Sequence, residues 1–342
     1  MLKEKGAGMQ AIEVFGAQEK RKRVLTFGEP LVVCSHGSLE RLSLDRRFVL
    51  DLAGAELNTA IALGRMGVPV TFAGAVGDDL FGEFILRELR AEMVEVKHVD
   101  VVPTRQTGVL FKKRNPLQKD PIVLSYRTLS PMAVGDWRAD ACVNDLLTDC
   151  YQWVHTTGIL RMVSAKARQE TDRILGMAHE NGIPISFDIN VRRKMGDHEA
   201  WLQNLREVIG YIDWLFLGDE EADFLFQMVN PQKLELLLRE LGFQGYGIVV
   251  KKGARGSTAC LQGEEIDCPI VPVDQVVDTV GAGDGFNAGF IAGLLRGDSV
   301  DAALKRGSIL GAYAVTSLGD AGGYPDATTV DRYLAGESEV TR

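Results

Sequence analysis

Cysteine is sparse in this chain of 342 residues: Cys34, Cys142, Cys150, Cys260 and Cys268 make an odd set with no C-x-x-C pair. That pattern suggests neither a disulfide framework nor a zinc knuckle, and it suits a reducing cytoplasm, which is the expected location. Long apolar runs are missing too. No stretch approaches the roughly 18 to 20 residues that a membrane helix needs, and residues 1–23 lack the apolar core of a signal peptide. Positive charge is in deficit, with 38 Lys and Arg against 47 Asp and Glu and a formal net charge of -9. Bulk attraction to nucleic acid or to an anionic membrane is thereby removed as a basis for function. Any anionic ligand must be held by local chemistry. The basic run Lys20-Arg21-Lys22-Arg23 is short, adjoins Glu19, and reads as a solvated lead-in to the first strand. G-x-x-x-x-G-K-[ST], G-x-S-x-G and H-E-x-x-H are absent, which disfavours Walker-type NTPases, the familiar serine hydrolases and zincins.

What is present is ample material for a core: 46% apolar residues, 25% charged and 37 glycines. Short β-branched or aromatic runs alternate with helix-period segments, the signature of an α/β fold with a mainly parallel sheet. Strands are expected at Val24–Val33, Val70–Val76, Trp153–Thr157, Pro184–Ile189, Trp214–Leu217 and Tyr246–Lys251. Helices are expected at Ala55–Met66, Asp79–Glu92, Ser164–Asn181 and Pro231–Leu241, with Gly67 and Gly182 as left-handed caps. Two segments break the alternation, about 35–50 and 99–128, and read as a small β lid over the carboxyl edge of the sheet, where ligands of open α/β sheets bind. The expected organisation is a flexible extension over 1–23 and one domain over 24–335 that carries both lid segments.

The most informative stretch is Val277-Asp278-Thr279-Val280-Gly281-Ala282-Gly283-Asp284-Gly285-Phe286, which passes from an extended segment into a small-residue helix. Gly281 and Gly283 let the backbone turn tightly, and the first helical amides aim unpaired N–H groups and a positive dipole end at one spot. Asp284 lies in the first turn, where a carboxylate is common as a cap. A phosphoryl group held by those amides would also lie beside a carboxylate able to take a hydroxyl proton, the elements of a phosphotransfer site.

This stretch resembles the D-T-x-G-A-G-D-x-F signature of the PfkB, or ribokinase-type, carbohydrate kinases. Upstream, Ala53-Gly54-Ala55-Glu56-Leu57-Asn58 is similar to the family's sugar-side block, and Gly74-Ala75-Val76-Gly77-Asp78-Asp79-Leu80-Phe81-Gly82 to its V-G-x-D-x-F-G block. The likeness covers about residues 24–335. It implies a ribokinase-like three-layer α/β/α domain with a mainly parallel central sheet and a small β lid, with Asp284 as catalytic base and Gly281, Ala282 and Gly283 as the anion hole. ATP and Mg²⁺ are the implied cofactors. In relatives a monovalent cation can sit near the position of Asp278.

The same resemblance places the nucleotide beside Lys251, Lys252, Gly253 and Gly256, with Asn190, Arg192, Gly281 and Gly283. Glu221 matches the glutamate of the family's N-x-x-E, which helps hold hydrated Mg²⁺, although Gly218 stands where the asparagine is usual. Those carboxylates also suit the start of a helix at 219. The A-G-A-E-x-N form is closest to the 2-keto-3-deoxygluconate kinases, with O6 the implied acceptor, and Gly54, Asn58, Arg127, Arg192, Asp284 and Asp320 are the substrate-side candidates. Arginine suits a sugar acid because it can pair its carboxylate through two hydrogen bonds. Surface salt bridges for the arginines and a turn role for Asp320 are the plainer alternatives. Leu110 and Ser125 replace tyrosines usual on the lid strands of such kinases, so fructokinase or another hexose or ribose kinase is the alternative. Alternation puts Ser125 and Arg127 on one face and Tyr126 on the other.

A nicotinamide dehydrogenase fails because G-x-G-x-x-G would need its third glycine at Phe286. A sugar-acid sensor without turnover is disfavoured by the presence of Asp284. The expected partners are a sugar or sugar acid and ATP, and exposed lid edges point to a homo-oligomer.

Overall fold

The computed structural model describes residues 22–336 apart from 37, 39–41, 43, 114–120 and 149, so the N-terminal extension up to residue 21 lies outside the described residues. In chain order the strands are β1 (Arg23–Phe27), β2 (Leu31–His36), β3 (Val49–Ala53), β4 (Val70–Gly77), β5 (Glu95–Val102), β6 (Gly108–Lys113), β7 (Ile122–Tyr126), β8 (Tyr151–Thr157), β9 (Ile185–Asp188), β10 (Trp214–Gly218), β11 (Gly247–Lys251), β12 (Ser257–Leu261) and β13 (Glu264–Cys268). The helices are α1 (Ala55–Arg65), α2 (Leu80–Ala91), α3 (Pro131–Val134), α4 (Asp140–Leu146), α5 (Gly158–Val163), α6 (Ala165–Glu180), α7 (His198–Arg206), α8 (Asp219–Phe226), α9 (Pro231–Glu240), α10 (Ala282–Arg296), α11 (Val300–Ala314) and α12 (Ala327–Leu334).

Nine strands form the main sheet in the order β13-β12-β11-β10-β9-β8-β1-β4-β5, antiparallel only where β12 meets β11 and β13. Its central strands are apolar on both faces because helices cover both. Leu25, Phe27, Val154, Phe187, Leu215 and Ile248 pack with α4 and α6 to α9 on one side. On the other, Val24, Phe72, Trp153, Phe216 and Val249 pack with α1, α2 and α10 to α12. The expected three-layer α/β/α architecture is therefore what forms. The strand order reverses between β1 and β8, which places a crevice at their carboxyl ends. Among the described residues, no helix is long and apolar enough to cross a membrane.

The lid is a second sheet in the order β3-β2-β6-β7. Two expectations need correction. Val24–Val33 is not one strand: Gly28-Glu29-Pro30 interrupts it, and its halves join different sheets. Pro30 supplies no N–H to a ladder, which explains the break. Residues 99–102 belong to β5 at the edge of the main sheet, whereas the lid takes in Leu31 at one end and Ala53 at the other, beyond the 35–50 segment. The Gly77–Gly82 block serves this junction. Asp79 caps α2 by accepting from Phe81 N at 3.1 Å and Gly82 N at 2.8 Å, and it also accepts from Thr107 N and Oγ1 at 2.8 Å each, just before β6.

Register decides which lid residues face the main domain. Leu110 pairs with both Val33 and Ser125, and Val33 pairs with Asp51, so these four share a face. Lys112 and Arg127 follow on that face by alternation. Tyr126 lies on the other, packed edge-on against Phe111 with ring centroids 5.7 Å apart.

Candidate active site

The site is assembled where α10 begins. Gly281 is its N-cap at φ 82, and a Cβ there would lie 1.8 Å from the carbonyl oxygen of Asp320, so only glycine fits both the conformation and the space. Tyr324 donates its hydroxyl to Gly281 O at 2.7 Å, and Asp278 Oδ1 accepts from Val280 N at 3.2 Å. The turn is thus held from both sides. The first regular helical bond on its far side is Gly285 N to Gly281 O at 2.9 Å, which leaves the Gly283 and Asp284 amides at the open helix end. Ala282 N makes only a 3.5 Å bond to Thr279 O. Amides left open at a helix start suit an anion, even in an acidic protein.

Asp284 stands at that corner with 7% of its surface exposed. Asn58 of α1 donates to Oδ2 at 2.8 Å, and Asn190 lies 3.5 Å from Oδ1. Burial pushes the Asp284 carboxyl up to about 7; the Asn58 bond opposes this, and the charge of Asp188 adds to it. A carboxylate poised near neutrality can accept a proton at working pH without being too weak a base. Asn190 is a buried non-glycine residue at φ 49, and asparagine tolerates this left-handed conformation better than most. Its side-chain amide lies toward the Asp284 carboxylate.

Behind the corner is a polar cluster in which Lys251, an expected nucleotide-side residue, is joined by Asp188 and Asn287, which motif reading did not assign a role. Lys251 Nζ pairs with Asp188 Oδ2 at 2.5 Å and donates to Asn287 Oδ1 at 3.3 Å, while Asn287 Nδ2 donates to Asp188 Oδ2 at 2.6 Å. A Cβ at Gly283 would come within 3.3 Å of the Lys251 ammonium, so this lysine does lie against the glycine turn. Lys252 does not join it. Its ammonium binds Thr258 Oγ1 and lies 3.5 Å from Asp267 Oδ1, on the β12–β13 hairpin. Gly253 and Gly256 form the tight connection between β11 and β12, at φ 55 and 83.

Glu221 caps α8. Its Oε2 accepts from Gly218 N at 2.6 Å and its Oε1 from Val191 N at 2.6 Å. Burial, then repulsion from Asp188, raises its pKa above the ordinary glutamate value. Both oxygens are therefore occupied by backbone amides, and no group of three or more acidic, His or Cys side chains gathers as a metal cage among the described residues. Asp188 Oδ1, by contrast, is buried without a hydrogen-bond partner. This donor set fits a hydrated divalent ion arriving with nucleotide phosphates, which Asp188 and Glu221 would hold.

On the sugar side, Gly54 precedes α1 at φ 126, and a Cβ there would lie 2.6 Å from Glu29 O. Glu29 and Glu56, two buried acids, line this corner. Ser130 Oγ donates to Glu29 Oε1, and Arg127 Nε lies 3.1 Å from Glu29 Oε2 as an ion pair. Thr157 Oγ1 donates to Glu56 Oε1 at 2.6 Å, yet burial still holds the Glu56 carboxyl up at about 7. Arg127 is thus a paired side chain. Its Nε is committed to Glu29, and its Nη2 lies 3.8 Å from Met195 Sδ. Arg192 is exposed in the same loop as Met195, with Nη1 3.3 Å from Val191 O. Asp320 is buried against Lys112 Nζ at 2.5 Å, an ion pair that no local pattern signalled.

The family model described as pfkB family carbohydrate kinase matches residues 21–327. The 2-dehydro-3-deoxygluconokinase of Bacillus subtilis (strain 168) is 33% identical over 328 residues, an alignment spanning 92% of this chain and 96% of that protein. Among solved structures, a PfkB protein from Polaromonas sp. JS666 superposes with a TM-score of 0.79 at 30% identity, covering 91% of this chain and 99% of its own. A putative Ribokinase II from E. coli, solved in complex with ATP and Mg²⁺, superposes with a TM-score of 0.81 at 25% identity, covering 92% of this chain and 99% of its own.

Proposed function

Because the chain belongs to the pfkB family of carbohydrate kinases, we propose that it phosphorylates a 2-keto-3-deoxy sugar acid, 2-keto-3-deoxygluconate at O6 first among them. ATP is the phosphoryl donor. The observation that carries the mechanism is the buried Asp284 carboxyl, held near neutrality beside the open amides of α10.

The sugar hydroxyl, oriented toward Asp284, gives its proton to that carboxylate as its oxygen bonds to the γ-phosphorus and the β,γ-bridging oxygen leaves with ADP. Asn58 and Asn190 fix the carboxylate so that one oxygen faces the hydroxyl. Charge on the transferring oxygens is met by the amides of the Gly281-Ala282-Gly283 turn and the open start of α10, where Gly283 N is free of helical bonds and Ala282 N is only weakly held. Lys251 supports the turn from behind. Asp188 and Glu221 would hold a hydrated Mg²⁺ accompanying the nucleotide, which would screen the phosphate charge. The adenine-side contacts fall to the β11–β12 connection at Gly253 and Gly256, with Lys252 bracing the hairpin.

Arg127 supports a sugar acid over a neutral sugar. Glu29 holds its Nε and Nη2 meets only the weak acceptor Met195 Sδ, which a ligand carboxylate would replace, with Arg192 arriving from the adjacent loop. Gly54 admits the sugar ring and Asp320 receives a hydroxyl. With ATP, the protein should turn over 2-keto-3-deoxygluconate better than fructose, ribose or related aldonic acids. A clear preference for fructose would overturn the arginine reading and favour the hexose kinase that Leu110 and Ser125 leave open. The outer lid face exposes Leu50, Ile122, Leu124 and Tyr126, apolar surface that a symmetric lid-to-lid dimer would cover. Sedimentation at several concentrations tests this, and a monomer throughout would refute it.

A further inference from the structure

We infer that Lys112 is a built-in monovalent cation for the phosphate-binding turn, a positioning residue whose ammonium ties the lid to that turn and makes added potassium or sodium unnecessary. The inference rests on the kinase reading. Lys112 lies on β6, and its side chain is 4% exposed. Its Nζ is 2.8 Å from Asp278 Oδ2 and 2.5 Å from Asp320 Oδ1. The three charged groups come from three separate segments: the lid, the approach to α10, and the loop after α11. None is explained by its own element.

Both aspartates touch the phosphate-binding turn, one through its carboxylate and the other through its backbone. Asp278 shapes it through Val280 N, and the Asp320 carbonyl oxygen packs against Gly281 so closely that no side chain fits there. Two buried carboxylates at this corner need a counter-charge, since an uncompensated buried charge is strongly destabilising. Lys112 supplies one. Burial works against its protonation, but Asp320 and Asp278 outweigh it and hold the amine above the ordinary lysine range. An alkali ion on the same carboxylate oxygens would meet that ammonium at contact distance, so the structure offers no vacancy between them. Asp51, on the same lid face, adds a third carboxylate toward Gly319: a Cβ there would lie 2.2 Å from Asp51 Oδ2. The lid's inner face and the catalytic turn are thus joined through charge, and displacing Lys112 releases both.

The test compares wild type and Lys112→Met in choline chloride, potassium chloride and ammonium chloride at equal ionic strength. Wild-type kcat should be the same in all three salts. Lys112→Met should lose about 10- to 100-fold in kcat in choline, the scale of a turn misplaced by about 1 Å, and potassium or ammonium should recover about tenfold of it. A tether that acts only through shape would not be rescued by a free cation. Thermal melting supplies a second readout: ammonium should raise Tm over choline for Lys112→Met and leave wild type unmoved. Wild-type activation by potassium, full turnover of Lys112→Met in choline, or a loss that neither salt restores each overturns the inference. Should Lys112→Met fail to fold, Lys112→Gln is read in the same way, and the wild-type salt comparison needs no variant. If wild type phosphorylates no sugar in any salt, the kinase reading fails, while the melting comparison still decides whether Lys112 fills a cation site.

Discussion

Replacing Asp284 by Asn keeps the side chain's shape and deletes its charge, so it tests both the chemistry and the electrostatics of the corner. Turnover should fall by about 10²- to 10⁴-fold, the range for loss of a positioned base, with sugar binding largely kept. The stability effect has a definite sign. The carboxyl titrates near 3.8 in the unfolded chain but near 7 in the folded one, where burial disfavours the anion. Between those values the unfolded state has released its proton and the folded state has not, so stability present below pH 3.8 is lost as pH rises through 7. Each pH unit in that window is worth about 1.4 kcal/mol. Asp284→Asn lacks this penalty, so its stability relative to wild type should improve by about 3 kcal/mol between pH 5 and pH 8. Glu56 titrates in the same window, but it is present in both proteins and cancels in the difference. Urea unfolding of the two proteins at both pH values measures it. A difference that does not move with pH would show the carboxyl to be ionised throughout, and near-normal turnover would remove Asp284 from the mechanism.

Gly281→Ala should reduce kcat at least about 100-fold and destabilise by about 1–3 kcal/mol, because a Cβ has no room beside Asp320 O and φ is positive; steady-state kinetics and a melt check it, and a neutral outcome refutes the turn geometry. Arg127→Ala should raise KM for a sugar acid far more than for a neutral sugar. It also strips the buried Glu29 of its cation, so adding Glu29→Gln should restore Tm without restoring acid selectivity. Glu221→Gln places an amide N–H against either Gly218 N or Val191 N, and the resulting loosening of the two loops should shift the Mg²⁺ dependence of turnover to higher concentration. An unchanged Mg²⁺ profile would leave Glu221 as a helix cap alone.

The glycine turn, the buried carboxylate of Asp284 and the partner amide at Asn58 were readable because each sits in a short contiguous motif whose backbone demands are local. Alternating patterns likewise revealed the main strands, since a strand covered on both faces is apolar at every position. The strand expected at Val24–Val33 failed because its two halves are equally apolar and only Pro30 hints that they serve different sheets. Asp188 lay within a quoted motif, yet its role depends on Lys251 and Asn287, which are 63 and 36 positions away from Asp188 and from Lys251 respectively. Lys252, next to Lys251 in sequence, turns the other way where the chain leaves β11 for the tight connection to β12.

By itself, then, the sequence determined the layered α/β class and the family, and it singled out one glycine turn with a carboxylate in the first turn of its helix, all consequences of backbone chemistry within a few residues. Only the tertiary structure decided that Arg127 is shared with Glu29, that Glu221 spends both oxygens on backbone amides, and that Lys112 reaches Asp278 and Asp320. Those contacts join side chains to partners on other strands and loops, and their energies depend on burial and distance, which exist only once the chain has folded. An acidic chain with no bulk attraction for anions holds them by concentrating its few decisive cations and amides where the fold excludes water.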